Sequence, residues 1–202
     1  MPIAWAALLG YGIGSLPLGF LVARAGGVDI RRAGSGNVGA ANVYRTAGRG
    51  LGVLVMLLDV AKGAFSVITT RALMAQAPEA GAAIAGLAAI VGHVYPLPLR
   101  FKGGKGVAAA CGVFLMLAPW ATLGAALVFV ATAWLTRYIS LASVAATVAL
   151  PAIHWLQPGD PVVDAVAIAA AALILFRHRG NLARLVAGSE RRFGDASERT
   201  RA

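Results

Sequence analysis

Residues 34–48 read GSGNVGAANVYRTAG, and the fold class turns on whether this stretch is a nucleotide loop or a polar loop in a membrane protein. Gly34, Gly36 and Gly39 satisfy G-x-G-x-x-G, and Asp59 stands 20 residues past the last glycine, where a dinucleotide fold places its ribose-binding acid. Such a fold needs a β-strand before the glycines and a helix receiving the pyrophosphate after them. The flanks are instead long apolar runs, 3–23 before and 50–72 after, and Asp59 lies inside the second. The match is a coincidence of glycine density.

Composition agrees. Of 202 residues, 59% are hydrophobic and 13% charged, and the mean hydropathy is +0.76. A soluble domain is closer to half apolar and a quarter charged. The chain therefore reads as an all-α integral membrane protein, a single polytopic domain 1–202 with a short charged tail from about 189. Seven apolar runs are expected as transmembrane helices: 3–23, 50–72, 80–98, 106–118, 120–137, 139–156 and 162–177. The fourth is too short to cross ~30 Å of hydrocarbon upright. Turn formers separate several of them, at Pro78, Pro119 and the Gln157–Pro161 stretch.

The net charge of +10 would point to nucleic acid in a soluble protein. Here 16 of the 18 Lys and Arg residues fall in alternate connections and the C-terminal segment. By the positive-inside rule those connections are cytoplasmic, the N-terminus is outside and the C-terminus inside. No nucleic acid partner is needed to explain the basicity. The single cysteine, Cys111, rules out an internal disulfide and a cysteine metal cluster. Gly10-x-x-x-Gly14 reads as a surface for close helix packing.

Three basic-side segments carry polar chemistry. In the first, Ser35, Gly36, Asn37, Asn42 and Arg45 form a glycine-rich loop suited to an anion, with Arg45 able to clamp a phosphate. The bland alternative is a loop whose arginines only set topology. The second, HVYPLPLRFKGGKGVAAACG (93–112), imitates a P-loop, but position 99 is leucine where Walker A needs glycine, and Gly106 replaces the Mg²⁺-binding Ser or Thr. What remains at Gly103, Gly104, Lys105 and Gly106 is a set of open backbone donors and a cation leading into an apolar run, the setting for an anion at a helix N-terminus. A plain inter-helix turn is the alternative.

The third segment, RHRGNLARLVAGSERRFG (177–194), puts His178, Asn181 and Arg184 at i,i+3 intervals on one helix face, with Glu190 following. His178 is the best-placed acid/base candidate. Asp59 and Lys62, charged inside an apolar run, are spaced i,i+3 to neutralise each other. Ser143 adds a hydroxyl on the basic side. His154, beside Trp155, reads as an interfacial residue, and His93 is ambiguous. Together these segments are expected to converge on one basic, glycine-rich pocket for a phosphorylated substrate meeting lipid.

The three motifs together closely resemble the PlsY family of acyl-phosphate:glycerol-3-phosphate acyltransferases of bacterial inner membranes. The resemblance is carried by Ser35-Gly36-Asn37-x-Gly39-x-x-Asn42, by His93-x-x-Pro96 with Phe101-x-Gly103-Gly104-Lys105-Gly106, and by His178-x-x-Asn181 extended through Arg184 and Gly188-x-Glu190. It implies transfer of a fatty acyl group from acyl-phosphate to the 1-hydroxyl of glycerol 3-phosphate, giving lysophosphatidic acid and phosphate for phospholipid biosynthesis. It also implies Ser35, Arg45, His178 and Asn181 as catalytic, with Gly36, Asn37, Asn42, Gly103, Gly104, Lys105, Gly106, Ser143, Arg184 and Glu190 in substrate binding, Glu190 partly structural. The family uses no metal, no acyl-CoA and no cofactor, and no obligate protein partner is evident. The active site would face the cytoplasm.

A mixed anhydride carries its own good leaving group, so no covalent enzyme intermediate is required. The site must neutralise two phosphates, align hydroxyl with carbonyl, and stabilise an oxyanion. Either His178 or a phosphate oxygen of the substrate is the base. A small-anion transporter is the alternative function, with outer connections that look too short and acidic for it.

Overall fold

The structure is a computed structural model describing residues 2–74, 78–156 and 160–194; the Gln157–Gly159 turn formers and the end of the charged tail lie outside the described residues. Among the described residues every regular element is helical: α1 (Ile3–Gly14), α2 (Leu18–Ala25), α3 (Ala40–Thr46), α4 (Arg49–Leu73), α5 (Pro78–Val94), α6 (Val107–Leu117), α7 (Pro119–Thr136), α8 (Ile139–His154) and α9 (Pro161–Val186), with a 3₁₀ turn at Leu97–Leu99. Ala- and Leu-rich runs favour helix, and Pro119 and Pro161 open α7 and α9, where the missing N–H has no intrahelical partner to lose. Among the described residues five stretches are long and apolar enough to cross a membrane: Ile3–Ala25, Arg49–Leu73, Pro78–Leu99, Pro119–Thr136 and Pro161–Val186. At 1.5 Å per residue, α6 and α8, with 11 and 16 residues, span only about 16 and 24 Å. Large apolar side chains such as Trp120, Leu127, Trp134 and Leu135 point outward, as in a protein solvated by lipid.

The chain divides into two compact units, the first ending at Met116 and the second beginning at Leu117. In the first, the run expected as one helix over 3–23 breaks at Ser15–Pro17, because Pro17 cannot continue the backbone ladder. Gly10 and Gly14 of α1 lie against the backbone of Ala85 and Ala89 in α5, so closely that a methyl at either would overlap a carbonyl oxygen. The small-residue stripe is therefore a packing seam, as read from its spacing. The Tyr11 hydroxyl donates to the Tyr95 carbonyl at 2.8 Å, joining the ends of the same two helices.

Charged residues within α4 pair inside the same unit. Lys62 Nζ lies 2.9 Å from Asp59 Oδ1 and also donates to the Leu16 carbonyl at the α1–α2 break, 3.2 Å away. The i,i+3 pairing read from the sequence is present. Arg71 pairs with Glu79 and donates to the Met116 carbonyl at 3.0 Å.

In the second unit, α8 packs between α7 and α9. Asp160 caps α9 by accepting from the Val162 N–H at 2.8 Å. His154 is buried within the unit, with its Nε2 3.4 Å from Asp164 Oδ1. The neighbouring acid, one turn into α9, draws the ring inward while Trp155 stays exposed.

Candidate active site

Asn42, on the buried face of α3, organises the 34–48 loop. Its Nδ2 donates to the carbonyls of Ala33 (3.0 Å) and Asn37 (2.9 Å) and, more distantly, of Ile30, while its Oδ1 accepts from the Ser35 N–H at 3.0 Å. With both ends of the amide held by backbone, the structure makes Asn42 the brace of the loop. Gly34 takes φ +60, and a side chain there would overlap the Asn42 amide, which explains why glycine stands at this position. Asn37 Oδ1 accepts from the Gly39 N–H at the start of α3, and its Nδ2 reaches the Gly103 carbonyl at 3.4 Å. Ser35 and Gly36 are exposed at the rim, and Arg45 sits half-buried in the last turn of α3. Near the start of the loop, Asp29 receives the Arg31 guanidinium at 2.9 Å, which holds its carboxyl down at about 2.

The second motif docks on the end of α5. Arg100 and Phe101 both take left-handed backbone (φ 51 and 63), turning the chain back on itself. The Gly103 N–H then donates to the Val94 carbonyl and the Gly104 N–H to the His93 carbonyl, each at 3.1 Å. This corrects one expectation from the sequence. These two N–H groups bond α5 and are not open toward an anion, and the glycines are required because a side chain at 103 or 104 would overlap the His93 carbonyl or ring. Lys105 is half-buried beyond them, and Gly106, at φ +95, leads into the N-terminus of α6. Asn37 thus ties the first motif to the second within this unit.

In the second unit, the third motif forms its own cluster. His178 and Asn181 are buried on α9, and His178 Nδ1 lies 2.8 Å from the Ile174 carbonyl. That contact makes Nδ1 the protonated nitrogen and leaves Nε2 as the acceptor. After α9 ends, Gly188 (φ +67) reverses the chain and returns Glu190 to the helix. Asn181 Nδ2 donates to Glu190 Oε1 at 2.6 Å, and Arg184 Nε to Glu190 Oε2 at 2.7 Å. Burial alone would raise the Glu190 carboxyl, but the hydrogen bonds from Asn181 and Arg184 and the Arg184 charge outweigh it and hold the group below the usual glutamate range.

The spacing placed His178, Asn181 and Arg184 on one face, and the structure brings Asn181 and Arg184 together on Glu190. It does not bring Ser143 to them, since the Ser143 hydroxyl donates to the Ile139 carbonyl one turn back in α8, at 2.8 Å. A strap that the sequence did not disclose closes this end of the unit. The Phe193 N–H donates to the Arg137 carbonyl, the Arg137 guanidinium returns two bonds to the Phe193 carbonyl, and Arg192 donates to the Tyr138 hydroxyl at 3.0 Å. Arg137 takes left-handed backbone at the end of α7, a turn that no spacing announces.

Comparison with known proteins gives one answer at every level. The family model described as glycerol-3-phosphate acyltransferase matches residues 4–188. The glycerol-3-phosphate acyltransferase of Geotalea daltonii is 48% identical over 91% of this chain and 93% of its own length, and that of Rubrobacter xylanophilus is 47% identical over 94% of each. Among solved structures, PlsY (YgiH), an integral membrane glycerol 3-phosphate acyltransferase, in its glycerol 3-phosphate form superposes with a TM-score of 0.89 at 39% identity. That match covers 95% of this chain and 96% of the other. Its lysophosphatidic acid form gives 0.87 at 38% identity, with 95% of each chain covered. With the motif residues seated as described and relatives this similar along nearly their whole length, the chain belongs to the PlsY family of glycerol-3-phosphate acyltransferases.

Proposed function

We propose that this protein transfers a fatty acyl group from acyl-phosphate to the 1-hydroxyl of glycerol 3-phosphate, releasing lysophosphatidic acid and inorganic phosphate, at the cytoplasmic face of a bacterial inner membrane. One observation carries the reading. Its solved relative occurs in a glycerol 3-phosphate form and a lysophosphatidic acid form, which are the acceptor and the acylated product of a single transfer. All seven apolar runs would cross or enter the bilayer, with the N-terminus outside, on the strength of the charge asymmetry between connections.

The glycerol hydroxyl oxygen attacks the acyl carbon, the bond from that carbon to the phosphate oxygen breaks, and the hydroxyl proton leaves to a base. Phosphate departs with the bonding pair. Lys105 and the N-terminus of α6 supply positive potential for one phosphate, and Arg45 and Ser35 at the first loop suit the other. His178, with Nδ1 turned to the Ile174 carbonyl, presents Nε2 as the base. The departing phosphate remains the competing base. Asn181 is oriented by Glu190 so that its amide direction is fixed before substrate arrives.

The test is phosphate release by the purified protein. Acyl-phosphate consumption should depend on glycerol 3-phosphate and yield lysophosphatidic acid in equal amount, with no activity from acyl-CoA. Activity with acyl-CoA, or none with acyl-phosphate, would overturn the donor assignment. A small-anion transporter would release no phosphate at all.

A further inference from the structure

Three polar side chains in the first unit take no part in the chemistry proposed above: Asp59 and Lys62 of α4 and His93 of α5, exposed by only 2%, 6% and 7%. Asp59 and Lys62 suffice to neutralise one another. The third member needs its own reason. His93 Nδ1 lies 3.4 Å from Asp59 Oδ1, which directs the protonated edge of the ring to the carboxylate. The opposite edge, at Nε2, stands against Gly104, where even a methyl would overlap it. The carbonyls of His93 and Val94 hold the N–H groups of Gly104 and Gly103, and Asn37 holds the loop from the other side through the Gly103 carbonyl. The cavity bordered by Asp59, Lys62 and His93 has room for about one water, too little for glycerol 3-phosphate.

We propose, on the reading that residues 103–106 hold glycerol 3-phosphate, that Asp59 and His93 are positioning residues for that substrate. The buried carboxylate locks the imidazole, and the locked ring is the seat that sets the height of Gly104 and hence of Lys105. Lys62 pairs with the carboxylate and ties it to the α1–α2 break.

The experiment uses the full chain purified in detergent, with acyl-phosphate as donor, and measures kcat, both KM values and thermal melting. His93→Asn keeps a donor at the Nδ1 position, so Asp59 is not orphaned, but it removes the ring edge under Gly104. It should raise the KM for glycerol 3-phosphate about tenfold, the usual scale of coupling between touching groups. The KM for acyl-phosphate and kcat should stay within about twofold. Gly104→Ala should raise the same KM, and because the shorter asparagine makes room for the methyl, the double variant should fall well below the product of the two single effects. Asp59→Leu with Lys62→Met removes both charges together, leaves neither unpaired, and should reproduce the His93→Asn pattern. Lys105→Ala is the benchmark.

If Lys105→Ala raises the glycerol 3-phosphate KM while His93→Asn leaves it unchanged, the positioning role is wrong. Equal losses in kcat and both KM values, or a double variant that multiplies the singles, overturn it as well. An unmoved KM in Lys105→Ala instead removes the loop from the substrate site, and the positioning role goes with it.

Discussion

Asn181 and Glu190 are joined by a 2.6 Å bond from amide nitrogen to carboxylate, across a chain reversal at Gly188. The bond commits one face of the amide to protein and fixes where the other face points. Replacing Asn181 by Asp is nearly isosteric, but sets two carboxylates against each other where a donor met an acceptor. Turnover should fall by at least ~100-fold, the scale for losing one preorganised donor, and melting in detergent should fall with it. Asn181→Ala should lose similar turnover with a smaller change in melting, because no second charge is introduced. Near-normal kcat in the aspartate variant would make Asn181 a packing residue.

The same carboxylate yields a pH dependence with a defined sign. The folded state holds Glu190 below its ordinary value of 4.5, so the ionised form is favoured by folding. Its contribution is complete above pH 4.5 and is lost as the pH falls through the lower folded value. Glu190→Gln cannot contribute in this way. The melting difference between wild type and Glu190→Gln should therefore be largest near neutrality and shrink steadily once the pH drops below 4.5. A difference that grows on acidification would mean the carboxyl is not held ionised by its partners.

How much of this was legible depended on whether a feature is local. The apolar runs predict helices because burial in lipid leaves the backbone no other partner, and Asp59–Lys62 and His178-x-x-Asn181 follow from the helical period alone. Pro17 stands inside an apolar run that is continuous over 3–23, so composition alone conceals the break. Glu190 could be named as important but not placed, because its return to Asn181 requires a left-handed residue after the helix. The direction of the Gly103 and Gly104 N–H groups escapes the sequence for a related reason. Glycine density shows that backbone comes close to something, not whether the neighbour is an anion or the end of α5.

Sidedness is open to direct labelling. Single cysteines at Ser35, Ser189 and Leu156, in a chain carrying Cys111→Ala, test the proposed orientation with an impermeant thiol reagent on intact cells. Positions 35 and 189 should label only after permeabilisation, and position 156 without it. Labelling of position 35 from outside would reverse the topology and move the site to the other face.

Lys105 should act through acceptor binding. A cation on a phosphate dianion away from bulk water is hard to replace, so Lys105→Ala should forfeit roughly 2–4 kcal/mol, seen mainly as a raised KM for glycerol 3-phosphate. Steady-state kinetics with each substrate varied separately gives the split. An unchanged KM for glycerol 3-phosphate would remove Lys105 from the phosphate site.

Asn42 separates bracing from binding. The family resemblance implies a role for it in substrate binding, whereas its amide is engaged by the Ser35 N–H and by the carbonyls of Ala33 and Asn37 inside the loop. Asn42→Ala leaves those groups without their partner, at about 1–3 kcal/mol for each that stays dry. Asn42→Asp keeps the acceptor for Ser35 but turns an oxygen toward the carbonyls of Ala33 and Asn37, which is repulsive. Both variants should melt several degrees lower in detergent, on the order of the loss expected for a broken buried network. Saturating glycerol 3-phosphate should restore little of the lost kcat, since the loop itself is displaced. A variant that melts like wild type and differs only in KM would show that Asn42 meets the substrate directly, and the brace would have to be sought elsewhere in the loop.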